Sequence, residues 1–279
     1  MTVSYSPAKI GALRHDDPAQ PQPDGSEATP RAATGSAPDT GAGTGMARKS
    51  RPLRKYRIMA LRDDGSIQDS EAIGPASLLF ETAFSAFARG TLIRTRRGPA
   101  AVEDLVPGCD IWTGEHGLQQ LLWIGSMTLV PKISHRAARD CRVTRIMPDA
   151  FGMERPMTNL MAGPGARLLS RPAALGYGYG GEQVLCPVRD LADGVNVVEI
   201  TPPSPITVYH LCLRQHATIT AGGLAFETFH PGIGFERQMG PRMLELYLSL
   251  FPHVRAPEEF GALAHDRLPL MPGGRIDAA

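Results

Sequence analysis

The side chains most able to do covalent or metal chemistry in this chain are four cysteines and a group of histidines toward its C-terminal end. The cysteines are Cys109, Cys141, Cys186 and Cys212, which lie far apart without a C-x-x-C pair. That spacing fits neither a disulfide framework nor a zinc site. We expect free thiols or small buried hydrophobic residues, because free cysteine usually behaves in that way.

Three histidines, His210, His216 and His230, raise the question of a metal centre. On one strand His210 and His216 would share a face, but six residues and a predicted turn separate them. No carboxylate or cysteine stands at ligand spacing, and no H-E-x-x-H pattern occurs. We therefore predict no metal and no cofactor, and interpret the three histidines as unrelated to one another.

A serine nucleophile of the hydrolase kind has little support. No G-x-S-x-G elbow occurs, and Ser126, Ser134 and Ser170 have no distinguishing context. An unrelated all-β hydrolase with a Ser-His-Asp site is therefore set aside.

The clearest pattern runs from Ala86 to Ser126, where extended segments alternate with turns. Gly-Pro and Pro-Gly pairs mark the turns, and short branched and apolar runs between them are typical of hairpins. The predicted parts are strands at 91–96, 110–113 and 118–125, turns at Gly98-Pro99 and Pro107-Gly108, and a helical turn at 102–105.

Two sets of residues occur in an order that resembles a known family. The first set is Gly90-Thr91, Val102-Glu103-Asp104-Leu105, Pro107-Gly108 and Trp123-Ile124-Gly125; the second is Pro187 to Leu191, Tyr209-His210-Leu211, His216 and 227–232. From about Phe84 to Gly232 the chain resembles the Hint domain, the self-processing fold of hedgehog C-terminal domains and inteins, and is closest to the bacterial Hint_2 type. The resemblance implies an all-β, horseshoe-like fold with pseudo-two-fold symmetry.

The resemblance also implies a reaction, which begins when a cysteine attacks the carbonyl before it in an N-to-S acyl shift. Here that position holds Ala86, and a methyl group is not a nucleophile. The family's helper histidine corresponds to Ala166. His216 matches a histidine that assists the C-terminal step in many Hint domains, but we expect it to be structural here. The asparagine that ends splicing members is absent from 226–232.

Ser85 is the hydroxyl that directly precedes the missing thiol. If the chain is extended at this point, neighbouring side chains alternate between faces, so Ser85 would point away from the site.

We therefore predict a Hint domain that is degenerate at its catalytic positions, is not an enzyme, and acts as a structural or interaction module. The alternative is an active autoprocessing domain that cleaves or splices with a non-standard nucleophile.

Composition constrains the partners. The formal net charge is +1, from 29 basic and 28 acidic residues, so bulk attraction favours neither nucleic acid nor an anionic membrane. No apolar run approaches the roughly 18 residues that span a bilayer. The N-terminus lacks the pattern of a secretory signal. We expect a cytoplasmic protein with an unidentified protein partner; a signal-independent secretion route is compatible with the same pattern.

Four segments are predicted along the chain. Residues 1–51 are rich in Pro, Gly and Ala and are expected to be disordered. Residues 52–83 hold a leading strand and connector, 84–232 the Hint-like domain, and 233–279 a short helix and a tail that is loose from residue 257. Within the domain, 206–213 and 217–221 are expected to pair as a hairpin.

Overall fold

The structure is a computed structural model, and it describes residues 52–131, 141–171 and 183–268. Across these ranges the secondary structure is mostly antiparallel β, which confirms the all-β prediction. The predicted disorder of 1–51 lies outside them. None of the helices in these ranges is long and apolar enough to cross a membrane.

The strands and helices have the following bounds. The strands are β1 (Leu53–Leu61), β2 (Ile67–Pro75), β3 (Phe87–Ala88), β4 (Leu92–Thr95), β5 (Gly98–Ala101), β6 (Asp110–Thr113), β7 (Gly117–Leu129), β8 (Val143–Ile146), β9 (Leu160–Ala162), β10 (Arg167–Ser170), β11 (Val184–Pro187), β12 (Val197–Ile200), β13 (Ile206–Leu213), β14 (Thr218–Ala221) and β15 (Leu224–Glu227). The helices are α1 (Leu78–Thr82), α2 (Pro241–Leu248) and 3-10 helices at Val102–Asp104, Val188–Leu191, Phe235–Gln238 and Pro257–Phe260.

The long strand β7 connects two groups of strands. Its first part pairs with β6, and its later part lies between β1 and β13. On one side the ladder continues from β13 through β3, β9 and β8 to β12, and on the other from β6 through β4, β14, β15 and β10 to β11. Pairing with β7 therefore places the predicted leading strand in the same sheet as the Hint-like region.

The β1–β2 hairpin shows how the sequence determines the strands and the turn between them. In β1, Tyr56, Ile58 and Ala60 are buried, Arg57 is exposed and Met59 is half-buried. The strand reverses at Asp64-Gly65, where Gly65 has φ +80° and the Asp64 carboxylate accepts the Ser66 N–H. Alternating side chains and a glycine turn are the expected signals of a hairpin.

The core has two parts. One is mostly aliphatic and surrounds Ala86 and Phe87. The other is aromatic and includes Trp123, Phe229, Tyr247 and Phe251. Helix α2 packs on the aromatic part through Tyr247. After the helix, the Leu250 carbonyl accepts the indole N–H of Trp123 at 2.8 Å. This bond satisfies the polar end of a fully buried ring.

The predicted hairpin between 206–213 and 217–221 is wrong. Strand β13 pairs with β7 and β3, whereas β14 pairs with β15 across Gly222-Gly223. Both glycines have positive φ and form the tight turn between β14 and β15. Branched residues predict strands well, but they do not select the partner.

The prediction of a loose tail from residue 257 is also wrong for the described residues, which reach Leu268. Phe260 and Leu268 are buried, and Arg267 forms an ion pair with Glu227. Isolated apolar side chains and one buried ion pair hold this segment in place. Sequence alone did not reveal it, because its partners lie far along the chain.

Candidate functional site

The junction between Ser85 and Ala86, where the resemblance places the family's reaction, is held by backbone hydrogen bonds on both sides. The Ala86 N–H donates to the Tyr209 carbonyl, and the Gly163 N–H donates to the Ala86 carbonyl, each at 2.8 Å. The Gly165 N–H donates to the Ser85 carbonyl, also at 2.8 Å. A donor aimed at this oxygen would stabilise negative charge that develops on it.

The turn that supplies these donors requires glycine. A Cβ on Gly163 would lie 2.2 Å from the Ser85 carbonyl oxygen, and one on Gly165 would lie 2.5 Å from the Thr82 carbonyl oxygen. Both contacts are with backbone, so a side chain could not be accommodated by a rotamer change. The turn between β9 and β10 therefore packs directly against the end of α1.

The two positions that the resemblance assigns to catalysis, Ala86 and Ala166, hold methyl groups inside the core. Ala86 is 1% exposed and Ala166 is 2% exposed. The Ala166 N–H donates to the Gly163 carbonyl at 3.1 Å, and its carbonyl accepts the Val188 N–H at 3.0 Å. The local backbone is thus ordered, but neither position offers a nucleophile, an acid or a base.

Ser85 departs from its predicted orientation. The residue lies between α1 and β3 and is not part of a strand, so alternation between faces does not apply to it. Its hydroxyl is buried without a hydrogen-bond partner, and it would lie 2.9 Å from a Cβ placed on Gly165. The Ser85 side chain therefore contacts the turn at the junction.

His210, on β13, presents an unused nitrogen to the same region. Its Nδ1 lies 2.8 Å from the Thr82 carbonyl, which can only accept, so Nδ1 carries the proton in the neutral ring. Its Nε2 is then a free acceptor, and it is buried without a partner. Burial lowers the pKa of His210 to about 4, so the ring is neutral at pH 7.

A cavity of about 50 Å³ lies beside this ring. It is large enough for a few water molecules, each of which needs on the order of 10–15 Å³. Its walls combine neutral and charged groups on strands and on the C-terminal segment. The lining residues are Thr82, Gly165, Arg167, His210, Glu227, Phe229, His230, Pro231 and Arg267.

Glu227, at the end of β15, is the central charge of the site. Its carboxylate is contacted by Arg267 Nε at 2.6 Å, His216 Nε2 at 2.9 Å and Arg167 Nε at 3.6 Å. Burial by itself would raise the pKa of Glu227, but Arg267, His216 and Arg167 outweigh it and lower the pKa to about 2. The carboxylate is therefore ionised and paired throughout the neutral range.

Hydrogen bonding fixes the tautomers of two further histidines. His216 accepts the Ala264 N–H at Nδ1, so its Nε2 carries the proton donated to Glu227. His230 accepts the Gly232 N–H at Nδ1, and its Nε2–H donates to the Gly261 carbonyl at 3.0 Å. In each ring Nδ1 accepts a backbone N–H and therefore carries no proton. A proton on Nδ1 would break that hydrogen bond.

The three histidines that the sequence left unrelated are thus brought together. The rings of His216 and His230 are 5.4 Å apart between centroids, and His210 lines the cavity with His230. Within the described ranges, no group of three or more His, Cys, Asp or Glu side chains is arranged to hold a metal ion. His216 contacts the Ala264 backbone N–H and the Glu227 carboxylate, and the sequence analysis identified neither partner.

The arginines were missed as well. Arg167 directly follows Ala166 in the matching block, so its position was a usable signal. Arg267 is 40 residues from Glu227, and no local pattern connects them.

A cysteine–histidine contact lies in the aromatic part of the core. All four cysteines are free thiols, as predicted, and Cys212 Sγ lies 3.4 Å from His253 Nε2. Burial raises the pKa of Cys212 to about 12 and lowers that of His253 to about 4. The pair is therefore a neutral thiol and a neutral imidazole, without the thiolate that a nucleophile needs.

The mostly antiparallel strands place the protein in the all-β class. The family model for the Hint domain matches residues 85–233, which is more than half of the chain. The chain therefore belongs to the Hint domain family, and the Hint-type fold expected from the sequence is confirmed.

Comparison with solved structures found a bacterial intein-like domain from Clostridium thermocellum, determined in solution. It is 12% identical to this chain, with a TM-score of 0.31, over 52% of this chain and 99% of that one. No curated protein matches the chain significantly.

Proposed function

We propose that this Hint domain does not cleave itself and serves as a structural or interaction module for another protein. The observation that carries the proposal is the buried methyl group of Ala86 at the position of the attacking thiol. An acyl shift requires an atom there that can form a bond to the Ser85 carbonyl carbon, and a methyl group cannot. Ala166, at the helper position, removes the proton donor as well.

The backbone hydrogen bonds at the Ser85–Ala86 junction support the proposal that the fold is kept without its reaction. The Gly165 N–H donates to the Ser85 carbonyl, and the Ala86 N–H and carbonyl are both hydrogen-bonded. Loss of a nucleophile typically lowers the rate of a covalent mechanism by orders of magnitude even when oxyanion donors remain. A stable fold that no longer carries out its reaction can still bind another protein. We also propose that the protein is located in the cytoplasm.

The mass of the intact chain tests the proposal. We expect one species of 30.0 kDa after the purified full-length protein is incubated with dithiothreitol at neutral pH. Fragments that end at Ser85 and begin at Ala86 would contradict the inactive assignment.

A second candidate is autoprocessing through Ser85, which the buried, unpartnered hydroxyl favours. The Ser85 oxygen would attack the Phe84 carbonyl carbon, the Phe84–Ser85 C–N bond would break, and the hydroxyl proton would pass to the released amine. The resulting ester would be cleaved by hydroxylamine. Fragments that end at Phe84, and that disappear in Ser85→Ala, would establish this candidate; an unchanged mass would remove it.

A further inference from the structure

The C-terminal segment 264–268 lies beside β11 and forms one parallel β-bridge with it, between Arg267 and Leu185. The Leu185 N–H donates to the Asp266 carbonyl at 2.8 Å, and the Leu268 N–H donates to the Leu185 carbonyl at 3.1 Å. Among the described strands β11 pairs only with β10, so the segment occupies its otherwise open edge.

The side chains of the segment enter separate sites on the domain. Arg267 contacts the Glu227 carboxylate at 2.6 Å and donates to the His230 carbonyl at 2.8 Å. His265 Nε2 lies 2.7 Å from Glu115 Oε1. Asp266, between them, is exposed, as expected for an extended strand with alternating faces.

The domain holds the receiving groups in place with its own contacts. The Glu115 carboxylate accepts both the N–H and the hydroxyl of Thr218, at 2.7 and 2.8 Å. Glu227 is held by His216 and Arg167. Each of the two carboxylates therefore has hydrogen-bond or ion-pair partners outside the segment that it binds.

Main-chain pairing at a sheet edge together with pockets for alternate side chains is the arrangement by which domains bind extended peptides. We propose that the edge of β11, with Glu227 and Glu115, is a peptide-binding groove, and that 264–268 fills it in cis. Its partner is an extended peptide with an arginine for Glu227, a basic or imidazole side chain two residues earlier for Glu115, and an apolar residue after the arginine. This inference rests on the proposed role as an interaction module and specifies its surface.

The apolar contact completes the recognition pattern. Leu268 packs with Val184 and Cys186 in a small buried cluster beside β11. The Arg167 guanidinium also donates to the Leu268 carbonyl at 2.8 Å. The Glu227 carboxylate thus binds the arginine, and the small apolar cluster binds the leucine that follows it. Hydrogen bonds hold the main chain of the leucine.

Binding of a labelled peptide tests the groove. The probe is a fluorescent peptide of residues 261–268, added to the full-length chain carrying Arg267→Ala, which loses the cis anchor. We expect binding to this variant and at least about tenfold weaker binding to the wild-type chain, where the tethered segment competes at a high effective concentration. A control peptide with alanine in place of its arginine should bind at least about tenfold more weakly, because it lacks the charged hydrogen bond to Glu227.

Three outcomes overturn the proposal: no binding of the probe, equal binding of both peptides, or unchanged binding when Glu227→Gln is added to the variant. If Arg267→Ala does not fold, a protease site inserted between Ala262 and Leu263 of the full chain releases the segment after folding, and the same peptides are compared. The mass of each sample is measured in parallel. Cleavage at Ser85–Ala86 would refute the proposed function and leave the binding result intact.

Discussion

At the scale of single residues, the proposal of an inactive domain depends on two methyl groups. Ala86 and Ala166 are both buried, while the backbone around them keeps the donor from Gly165 to the Ser85 carbonyl at 2.8 Å. The turn can approach this carbonyl only because Gly163 and Gly165 have no Cβ. Under the proposed inactive assignment, the backbone donors at this junction are kept while positions 86 and 166 lack the groups that form and break bonds.

Restoring both side chains should therefore restore cleavage. In the double variant Ala86→Cys, Ala166→His we expect thiol-dependent cleavage after Ser85, because the new thiol adjoins a carbonyl that already accepts a hydrogen bond. Ala86→Cys alone should react more slowly by about 10², the usual contribution of an acid or base. Intact mass after incubation with dithiothreitol measures both rates.

Ala88→Cys is the matched control, because Ala88 is also a buried alanine on the same segment. A thiol there adjoins the Phe87 carbonyl and not the one that Gly165 contacts. If the double variant stays intact like this control, the junction has lost more than its two side chains.

At the scale of secondary-structure elements, α2 is anchored to the sheet through the residues that follow it. Phe251 is fully buried, with its ring 4.8 Å from that of Trp123 and stacked on Phe229 at 5.1 Å. The Leu250 carbonyl accepts the indole proton of Trp123. These contacts place the one buried tryptophan at the interface between helix and sheet.

Phe251→Ala should loosen this interface and report on it. Removal of a buried phenylalanine costs about 3–5 kcal/mol in free energy of unfolding. We expect that loss in urea titrations, with a red shift of Trp123 emission in a Trp112→Phe background. Ile233→Ala, at a residue that is 84% exposed, is the control and should change neither. An unshifted emission maximum in Phe251→Ala would show that α2 is held by other contacts.

Local sequence patterns predicted some of these elements, but not the contacts between distant segments. Strands such as β1 and β7 follow from local alternation, and the positions of Ala86 and Ala166 follow from ordered motifs. The pairing of β13 was mispredicted, because partner choice depends on packing between distant segments. Arg267 was missed for the same reason: an arginine in a short polar stretch has no local feature that points to Glu227.

At the scale of the whole molecule, buried histidines on different elements make stability depend on pH. Burial is the main cause that lowers the pKa of His210, His230 and His253 to about 4 each. In the unfolded chain a histidine titrates near 6.5. Between these values the unfolded state binds up to three more protons than the folded state, so the free energy of unfolding falls as the pH falls.

Acid should therefore weaken the fold well before carboxylates titrate. Each such histidine costs up to about 1.4 kcal/mol per pH unit below 6.5, so we expect a loss on the order of 5 kcal/mol between pH 7 and 5. The loss should level off for these rings below pH 4, while Glu227, with its pKa lowered to about 2, adds a further loss below about 4.5. Urea unfolding at half-unit steps of pH measures the slope. His253→Gln should reduce the slope by about one third, and His116→Gln, at an exposed position, should not. A free energy of unfolding that stays constant from pH 7 to 5 would mean that these rings find proton-accepting partners in the folded state.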